Sequence, residues 1–453
     1  MPEAWTKTQR SRRHAGGLAA IVLALLAAAP ARADVKPGDV ITAANKELVK
    51  GLVPDEFYRY AIEGFPDLEM HIVATGSYPV HPQYVEATVK FACQASIDDN
   101  GRLVHYTAGQ PFPYSDWAQE ATHHACDLKP SDPQFGLKLA WDVNYRWQGG
   151  SGFNIPHWGF ANMRNFGKET WRISQGEYRR TYFSARADLL PETTELEKGT
   201  DVEWAEFFDV KTPFDLRGTM FLLYRYRTGK EDDTWAYIPA LRRVRRIAAT
   251  QKSDSLLGTE FTLEDFYLFS GYVWDHQWEF KGESVMLGIT DSHRTCFPRN
   301  TGEIAPDHFV KVGSDADWAK CRFAPYGALP MVGEDWQKRA TFELDDIPRQ
   351  KGHPYSRKKI WYDKETMAPG LAAAYDRAGQ VYKLIGGVGQ WSETSGLPEN
   401  VGRDVLLGKS VMIVNVQSGA SNLGQFDGMN AMAFSISESK KYYDTTRLKT
   451  EGH

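Results

Sequence analysis

The chain has 453 residues, 42% of them hydrophobic and 13% aromatic, with 14 tryptophans and a formal net charge of −5. An acidic balance excludes sequence-independent binding to nucleic acid, which needs a net basic surface. The length suits two or three average domains, or one large β domain with insertions.

Residues 1–33 read as a cleavable export signal. Lys7, Arg10, Arg12 and Arg13 form a positive start, Leu18 to Ala29 is an unbroken apolar run, and Ala31-Arg32-Ala33 is a small-x-small cleavage pattern. The apolar run is about 12 residues, whereas a membrane span needs roughly 20. Cleavage after Ala33 makes Asp34 the first mature residue and points to the periplasm. Losing five basic residues (Lys7, Arg10, Arg12, Arg13, Arg32) and one acidic (Glu3) takes the formal charge from −5 to −9. Ser11-Arg12-Arg13 leaves both Sec and twin-arginine export open. No cysteine follows the cleavage point, so no lipid anchor is expected, and no later stretch has the length of a span.

Along the mature chain, Ala44 to Val49 reads as a short helix. Leu68–Thr75, Val85–Ala92 and Leu103–Thr107 read as strands, and Asp116–His124 and Asp132–Tyr145 as helices. Strands follow at Glu169–Ile173 and Tyr178–Ser184. In Gly218 to Arg227 (GTMFLLYRYR), Met220, Leu222, Tyr224 and Tyr226 share one face, while Phe221, Leu223, Arg225 and Arg227 share the other. The turn Thr228-Gly229-Lys230 and the strand Thr234–Ile238 complete a hairpin. Further strands are Trp278–Phe280, Ser284–Ile289, Lys358–Asp363 and Gln380–Ile385, punctuated by Pro239, Pro298, Pro330 and Pro354. Antiparallel strands dominate, in numbers that suit a large curled sheet.

Four cysteines, Cys93, Cys126, Cys296 and Cys321, fall in two pairs. In an oxidising compartment an even number points to disulfides, and pairing Cys93–Cys126 and Cys296–Cys321 closes the shortest loops. The competing reading is a metal site, for which His123-His124-Ala125-Cys126 is the one close cluster. No metal or other cofactor is expected.

Catalytic spacings are absent: no GxSxG, HExxH, GxxxxGKS/T or helix-opening GxGxxG. Gly386-Gly387-Val388-Gly389 precedes Gln390-Trp391 and reads as a loop or bulge. Carboxylate neighbours such as Glu264-Asp265 and Asp232-Asp233 point to opposite faces when on a strand and form no dyad by themselves. Arg242, Arg243, Arg245 and Arg246 lie within five residues. On a strand Arg243 and Arg245 face one way, Arg242 and Arg246 the other. They either pair with carboxylates such as Glu260, Glu264 and Asp265 or contact an anionic headgroup or partner.

At this run the chain resembles a known group. Leu216-Arg217-Gly218-Thr219, then Trp235 to Ile247, then Leu257 to Phe261 with Glu264-Asp265, form an ordered series similar to the periplasmic outer-membrane lipoprotein-sorting-like proteins of LolA/LolB-like fold. A narrower resemblance is to a Gram-negative family of unknown function, number thirteen twenty-nine. It extends to Lys36-Pro37-Gly38-Asp39 with Asn45, Tyr106 to Pro113 with Asp132-Pro133 and Gly136, Tyr355 to Lys358, and Tyr375 to Gly379. Gln110 departs from the apolar residue expected before Pro111.

The resemblance implies a mainly β fold, a large half-open antiparallel β-barrel with covering helices. Residues 34–453 then form a single domain with an N-terminal arm and insertions. Its concave face is expected to hold an acyl chain or other lipid-like ligand, and its partners to be an outer-membrane β-barrel protein and a resistance-nodulation-division-type exporter. Met220, Leu222, Tyr224, Tyr226, Trp235 and Tyr237 either line that cavity or are ordinary core. The expected function is a periplasmic carrier or accessory protein for a lipid or sterol-like molecule. The alternative is a non-carrying protein docking to an outer-membrane barrel. An enzyme is the least supported reading; it would need His123 or His124 in a cleft with a carboxylate and a nucleophile.

Overall fold

The computed structural model describes residues 34–450 apart from 67, 116, 118–125, 168, 248–252, 257, 293–333 and 432–434. Eighteen strands are described: β1 Val40–Thr42, β2 Glu69–Ile72, β3 Ser96–Ile97, β4 Leu103–Val104, β5 Gly152–Arg164, β6 Glu169–Tyr182, β7 Val202–Thr212, β8 Met220–Tyr226, β9 Asp233–Ile238, β10 Arg243–Ile247, β11 His276–Gly288, β12 Glu334–Pro348, β13 Arg357–Asp363, β14 Pro369–Tyr375, β15 Val381–Trp391, β16 Leu406–Asn415, β17 Ser421–Asp427 and β18 Asn430–Ala431.

Neighbours run in the order β11-β12-β13-β14-β15-β16-β17-β5-β6-β7-β8-β9-β10. Every pairing on this path is antiparallel, including β17 with β5, which joins the C-terminal strands to the earlier ones. Among the described residues β10 and β11 do not pair, so the sheet stays unclosed, a half-open barrel. The start of β12 pairs in parallel with β2, which carries β1.

The curl follows from the packing of the two faces. One cluster gathers Trp158 of β5, Phe208 of β7, Phe342 of β12, Tyr362 of β13 and Ile413 of β16 around the helix Phe135–Asn144, which contributes Phe135, Leu139 and Trp141. Strands so far apart in the sheet share one core only if the sheet bends around it. A second cluster joins Trp336, Trp361, Leu371, Leu384 and Val414 of β12 to β16 to the N-terminal arm, which supplies Ile41, Phe57, Ile62 and Met70. A third cluster joins β7, β8 and β9 to the C-terminal helices Ile436–Tyr442 and Thr445–Thr450 through Tyr443 and Leu448. No helix among the described residues is long and apolar enough to cross a membrane.

The expected hairpin is present: Leu222 lies opposite Trp235, and Met220 opposite Tyr237. Other expectations need correction. Val85–Ala92 is not a strand but the end of the helix Pro82–Phe91. Proline occupies its first turn, the His81 ring accepts from Gln83 N at 3.2 Å, and Tyr84, Ala87 and Thr88 are buried at helical spacing. Its alternating Val85, Ala87, Val89 and Phe91 imitate a strand. The segments Trp278–Phe280 and Ser284–Ile289 belong to one strand, β11, irregular between Phe280 and Gly282. The helix expected at Asp116–His124 falls almost wholly outside the described residues.

Gly386-Gly387-Val388-Gly389 lies inside β15, with a register shift at Val388/Gly389. There the chain after β11 crosses close by: Gly389 N donates to Ile289 O at 2.8 Å and Ser292 N to Gly389 O at 2.9 Å. A Cβ on Gly389 would stand 2.6 Å from Thr290 O, so only glycine permits the crossing. Gly389→Ala is therefore expected to lower the unfolding free energy by about 1–3 kcal/mol, the cost of overpacking, read from the urea midpoint. An unchanged midpoint would show that the crossing can shift.

Candidate functional site

The site is built around an inner segment, residues 258–275, that runs along the concave side of the sheet. It opens with a capping box in which Asp265 Oδ2 accepts from Thr262 N at 3.2 Å and Thr262 Oγ1 at 3.0 Å. The chain then turns sharply, with Tyr267 (φ 54°) and Leu268 (φ 64°) both left-handed. Two consecutive non-glycine residues in that region cost on the order of 1–3 kcal/mol each and persist only where surrounding contacts hold them.

Those contacts are polar and buried. Lys358, 2% exposed, reaches Asp265, 0% exposed, with Nζ 3.3 Å from Oδ1. Tyr355 Oη donates to Asp265 Oδ2 at 2.8 Å. His353 Nε2 bonds Glu264 Oε2 at 2.8 Å, and His276 Nδ1 bonds Asp346 Oδ1. Further along, Arg225 Nη2 donates to Ser270 O at 2.9 Å and Nη1 to Gly271 O at 3.2 Å, while Asp232 holds the same guanidinium at 2.7 and 3.0 Å. Before the turn, Lys383 Nζ donates to Glu260 O at 2.5 Å.

Between this segment and the sheet lies a partly open cavity of about 160 Å³. Its walls draw on both large clusters, with Trp158, Phe208, Phe261 and Leu407 from the first and Leu287, Trp361 and Leu371 from the second. Trp158 stacks on Phe208 with ring centroids 4.4 Å apart, and Phe160 meets Phe261 edge-on at 5.5 Å. Gly176 makes room for Trp158, since a Cβ there would lie 2.6 Å from Trp158 Cζ2. The polar atoms at its margins include Arg146, Asp265, Arg339 and Asp363. Arg339 is committed to Asp363 at 3.2 Å and Glu365 at 2.6 Å. Chemically the cavity offers mainly apolar walls with a few charged side chains among them.

The structure separates the residues expected at the site. Met220, Leu222, Tyr224, Trp235 and Tyr237 pack beneath the C-terminal helices, with Tyr224 Oη donating to Tyr443 O at 2.7 Å. Tyr226 instead donates to Asp233 Oδ2 at 2.7 Å under Lys230. None of the six is among the residues lining the cavity. The alternation itself is observed: Phe221, on the opposite face, packs with the cavity cluster.

The arginine run needs correction in its partners. Glu260, Glu264 and Asp265 are engaged by Lys383, His353 and Lys358. Arg246 pairs with Asp233, one strand away, because β10 lies beside β9. Arg242, Arg243 and Arg245 are exposed on or beside that edge strand. Cys93 and Cys126 form a disulfide. Cys296, Cys321, His123 and His124 lie outside the described residues. Among the described residues, no group of three or more His, Cys, Asp or Glu side chains is placed to hold a metal.

Sequence reading missed Arg146, Trp158, Phe208 and the clamp residues Tyr355 and Lys358. Glu264-Asp265 and Tyr355 to Lys358 stood among the motifs that carried the family resemblance, a signal that marked them without showing that they meet.

The clamp makes stability depend on pH in both directions. Burial alone would raise the Glu264 pKa, but the His353 hydrogen bond and the positive charges of His276, His353 and Lys358 hold it at about 2. A carboxyl depressed on folding stabilises above its unfolded value, near 4.5, and that contribution disappears as pH falls toward about 2. Burial pulls His276 down, yet Asp346 and Glu264 raise it above 6.5. Its contribution is complete below 6.5 and is lost as pH rises through the raised folded value. Urea unfolding from pH 2 to 9 should therefore show a maximum between these limits, with a shallower acid limb in Glu264→Gln and a shallower alkaline limb in His276→Phe. Lys358→Met leaves Asp265 buried without its cation and should cost roughly 3–5 kcal/mol. A loss below about 1 kcal/mol in the same assay would show that the pair does not hold the segment.

Comparison with known proteins places the chain. An outer membrane lipoprotein-sorting protein domain, as described, from Vibrio parahaemolyticus aligns at 18% identity and TM-score 0.44, covering 70% of this chain and 100% of that one. A DUF1329 family protein from Desulfovibrio piger aligns at 16% identity and TM-score 0.45, with 70% and 100% coverage. A LolA superfamily protein from Nitrosomonas europaea aligns at 10% identity and TM-score 0.37, with 69% and 98% coverage. No curated protein matches the chain. Residues 40–449 match the family described as "Protein of unknown function (DUF1329)", and the chain belongs to that family.

Proposed function

We propose that this protein is a carrier, or a carrier-like accessory, for a hydrophobic molecule, lipid or sterol-like, in the periplasm. The observation that carries the reading is the part-open apolar cavity between the curved sheet and the clamped inner segment. Apolar cargo crossing an aqueous gap needs a wall that replaces water, and each buried methylene contributes about 0.8 kcal/mol. A cavity of about 160 Å³ resembles in size the engineered apolar cavities of about 150 Å³ that take up benzene. About six buried carbons would then supply ~5 kcal/mol, enough for sub-millimolar binding before any headgroup contact. A longer chain would extend out through the open side or displace the aromatic turn at Phe266 and Tyr267.

The export signal read in residues 1–33 supports the compartment. An envelope transporter, an outer-membrane β-barrel protein or a resistance-nodulation-division-type exporter, is the partner this reading calls for.

Nile red, a neutral apolar dye, is expected to bind the mature chain with enhanced fluorescence, and lipid extracted from protein purified out of a native envelope should be visible by mass spectrometry. Val411→Phe, which fills the cavity from β16, should weaken dye binding at least tenfold while keeping the unfolding midpoint within a few degrees. Absence of both dye binding and bound lipid would remove the basis for a carrier.

A further inference from the structure

Arg146 is the charged group of the cavity whose role the fold does not use up. It follows the helix Phe135–Asn144, and its Nη1 donates to Val143 O at 3.0 Å, closing the helix end. A guanidinium has five N–H donors in a planar fork and stays charged in proteins. No carboxylate pairs with it among the described residues.

The acidic groups lining the same space are spoken for or face other charges. Asp265 is held by Lys358 and Tyr355, and Asp363 by Arg339. Glu203 is influenced by Arg225 and Arg227, and Asp404 by Glu393 and His81. What surrounds Arg146 electrostatically is a set of tyrosines, Tyr182, Tyr362 and Tyr267, and a second cation, Arg180; burial itself pulls its pKa below the ordinary guanidinium value.

Position gives this charge a purpose. The apolar cavity adjoins two smaller ones, of about 60 and 30 Å³, and Arg146 and Tyr267 line all three. The cation therefore stands where the apolar space meets its polar annexes, beside the strained turn that walls it. A favourable helix-end interaction accounts for one N–H and for part of the charge. The rest of the fork borders the three cavities, and its N–H groups can donate two parallel hydrogen bonds to a carboxylate or phosphate.

We propose that Arg146 binds the anionic head of the ligand, and that the ligand is a single-chain amphiphile bearing a carboxylate or phosphate whose tail occupies the apolar cavity. This deepens the carrier reading and rests on it. An uncharged sterol or wax would cover the half-buried cation without giving it a partner, whereas an anionic amphiphile satisfies head and tail together.

Displacement of Nile red from the full mature chain tests both levels. Octanoate and octyl phosphate, each an arm of its own, should displace the dye at concentrations at least tenfold below octanol. Arg146→Met should bring the anions to the level of octanol without changing octanol itself, and Arg146→Lys should keep part of the preference. Acetate and inorganic phosphate, lacking tails, should not displace the dye. Dye binding with equal displacement by octanol and both anions would overturn the Arg146 assignment and leave the carrier intact. Failure of every amphiphile and of the dye would overturn the carrier reading and this proposal with it. If Arg146→Met does not fold, the octanol-to-anion ratio in the unmodified chain decides the matter.

Discussion

The ion pair between Lys358 and Asp265 is the contact on which the concave side depends. Both side chains are almost completely withdrawn from water, so each is costly alone and tolerable only with the other. Asp265 also closes the capping box that starts the inner segment and takes a hydrogen bond from Tyr355. A single carboxylate thus ties the local turn to β13, more than ninety positions later in the chain. Hydrophobic contact alone would allow Phe261, Phe266 and Leu268 to slide over a smooth aromatic wall; paired charges have one register.

That registration explains how an apolar cavity survives inside a curled sheet. A segment packed only by burial would collapse into the empty space, since voids lined by hydrocarbon forfeit dispersion contacts. Here the segment is fixed at Glu260, Glu264, Asp265, Ser270 and Gly271 by partners on other elements. The strained pair Tyr267 and Leu268 sits between the second and third of these fixed regions. Polar anchors on either side hold the turn away from the sheet, and Gly176 and Gly389 let Trp158 and the β11 crossing approach without filling the gap.

The β class, the curled antiparallel sheet and the β8–β9 hairpin were legible because alternation and turn residues are local signals. The face that holds the cavity was not. In β8 both faces are rich in apolar and aromatic groups, Met220, Leu222 and Tyr224 on one and Phe221 and Leu223 on the other. What decides between them is a covering element more than two hundred residues downstream, Tyr443 and Leu448. β7 and β12 escaped notice because charged residues such as Glu203, Asp209, Arg339 and Asp345 stand on buried strand positions, where each is matched by a partner that sequence spacing does not reveal. The arginine run shows the same limit: the acids Glu260, Glu264 and Asp265 further along the chain proved to belong to Lys383, His353 and Lys358, while the strand neighbour Asp233 took Arg246.

The contrast between the arginines of this fold bears on what the cavity is for. Arg180 lies against Glu206 and the Trp204 ring, Arg225 against Asp232, and Arg339 against Asp363 and Glu365. Each buried guanidinium there has a carboxylate within reach, the arrangement that offsets desolvation. Arg146, half-buried at the cavity rather than fully withdrawn from water, lacks that partner, although its place at a helix end is one a neutral Asn or Gly could fill. A fold that neutralises its other interior arginines so consistently, and leaves one facing an apolar cavity, is better matched to an anion that arrives with the cargo than to a purely structural cap.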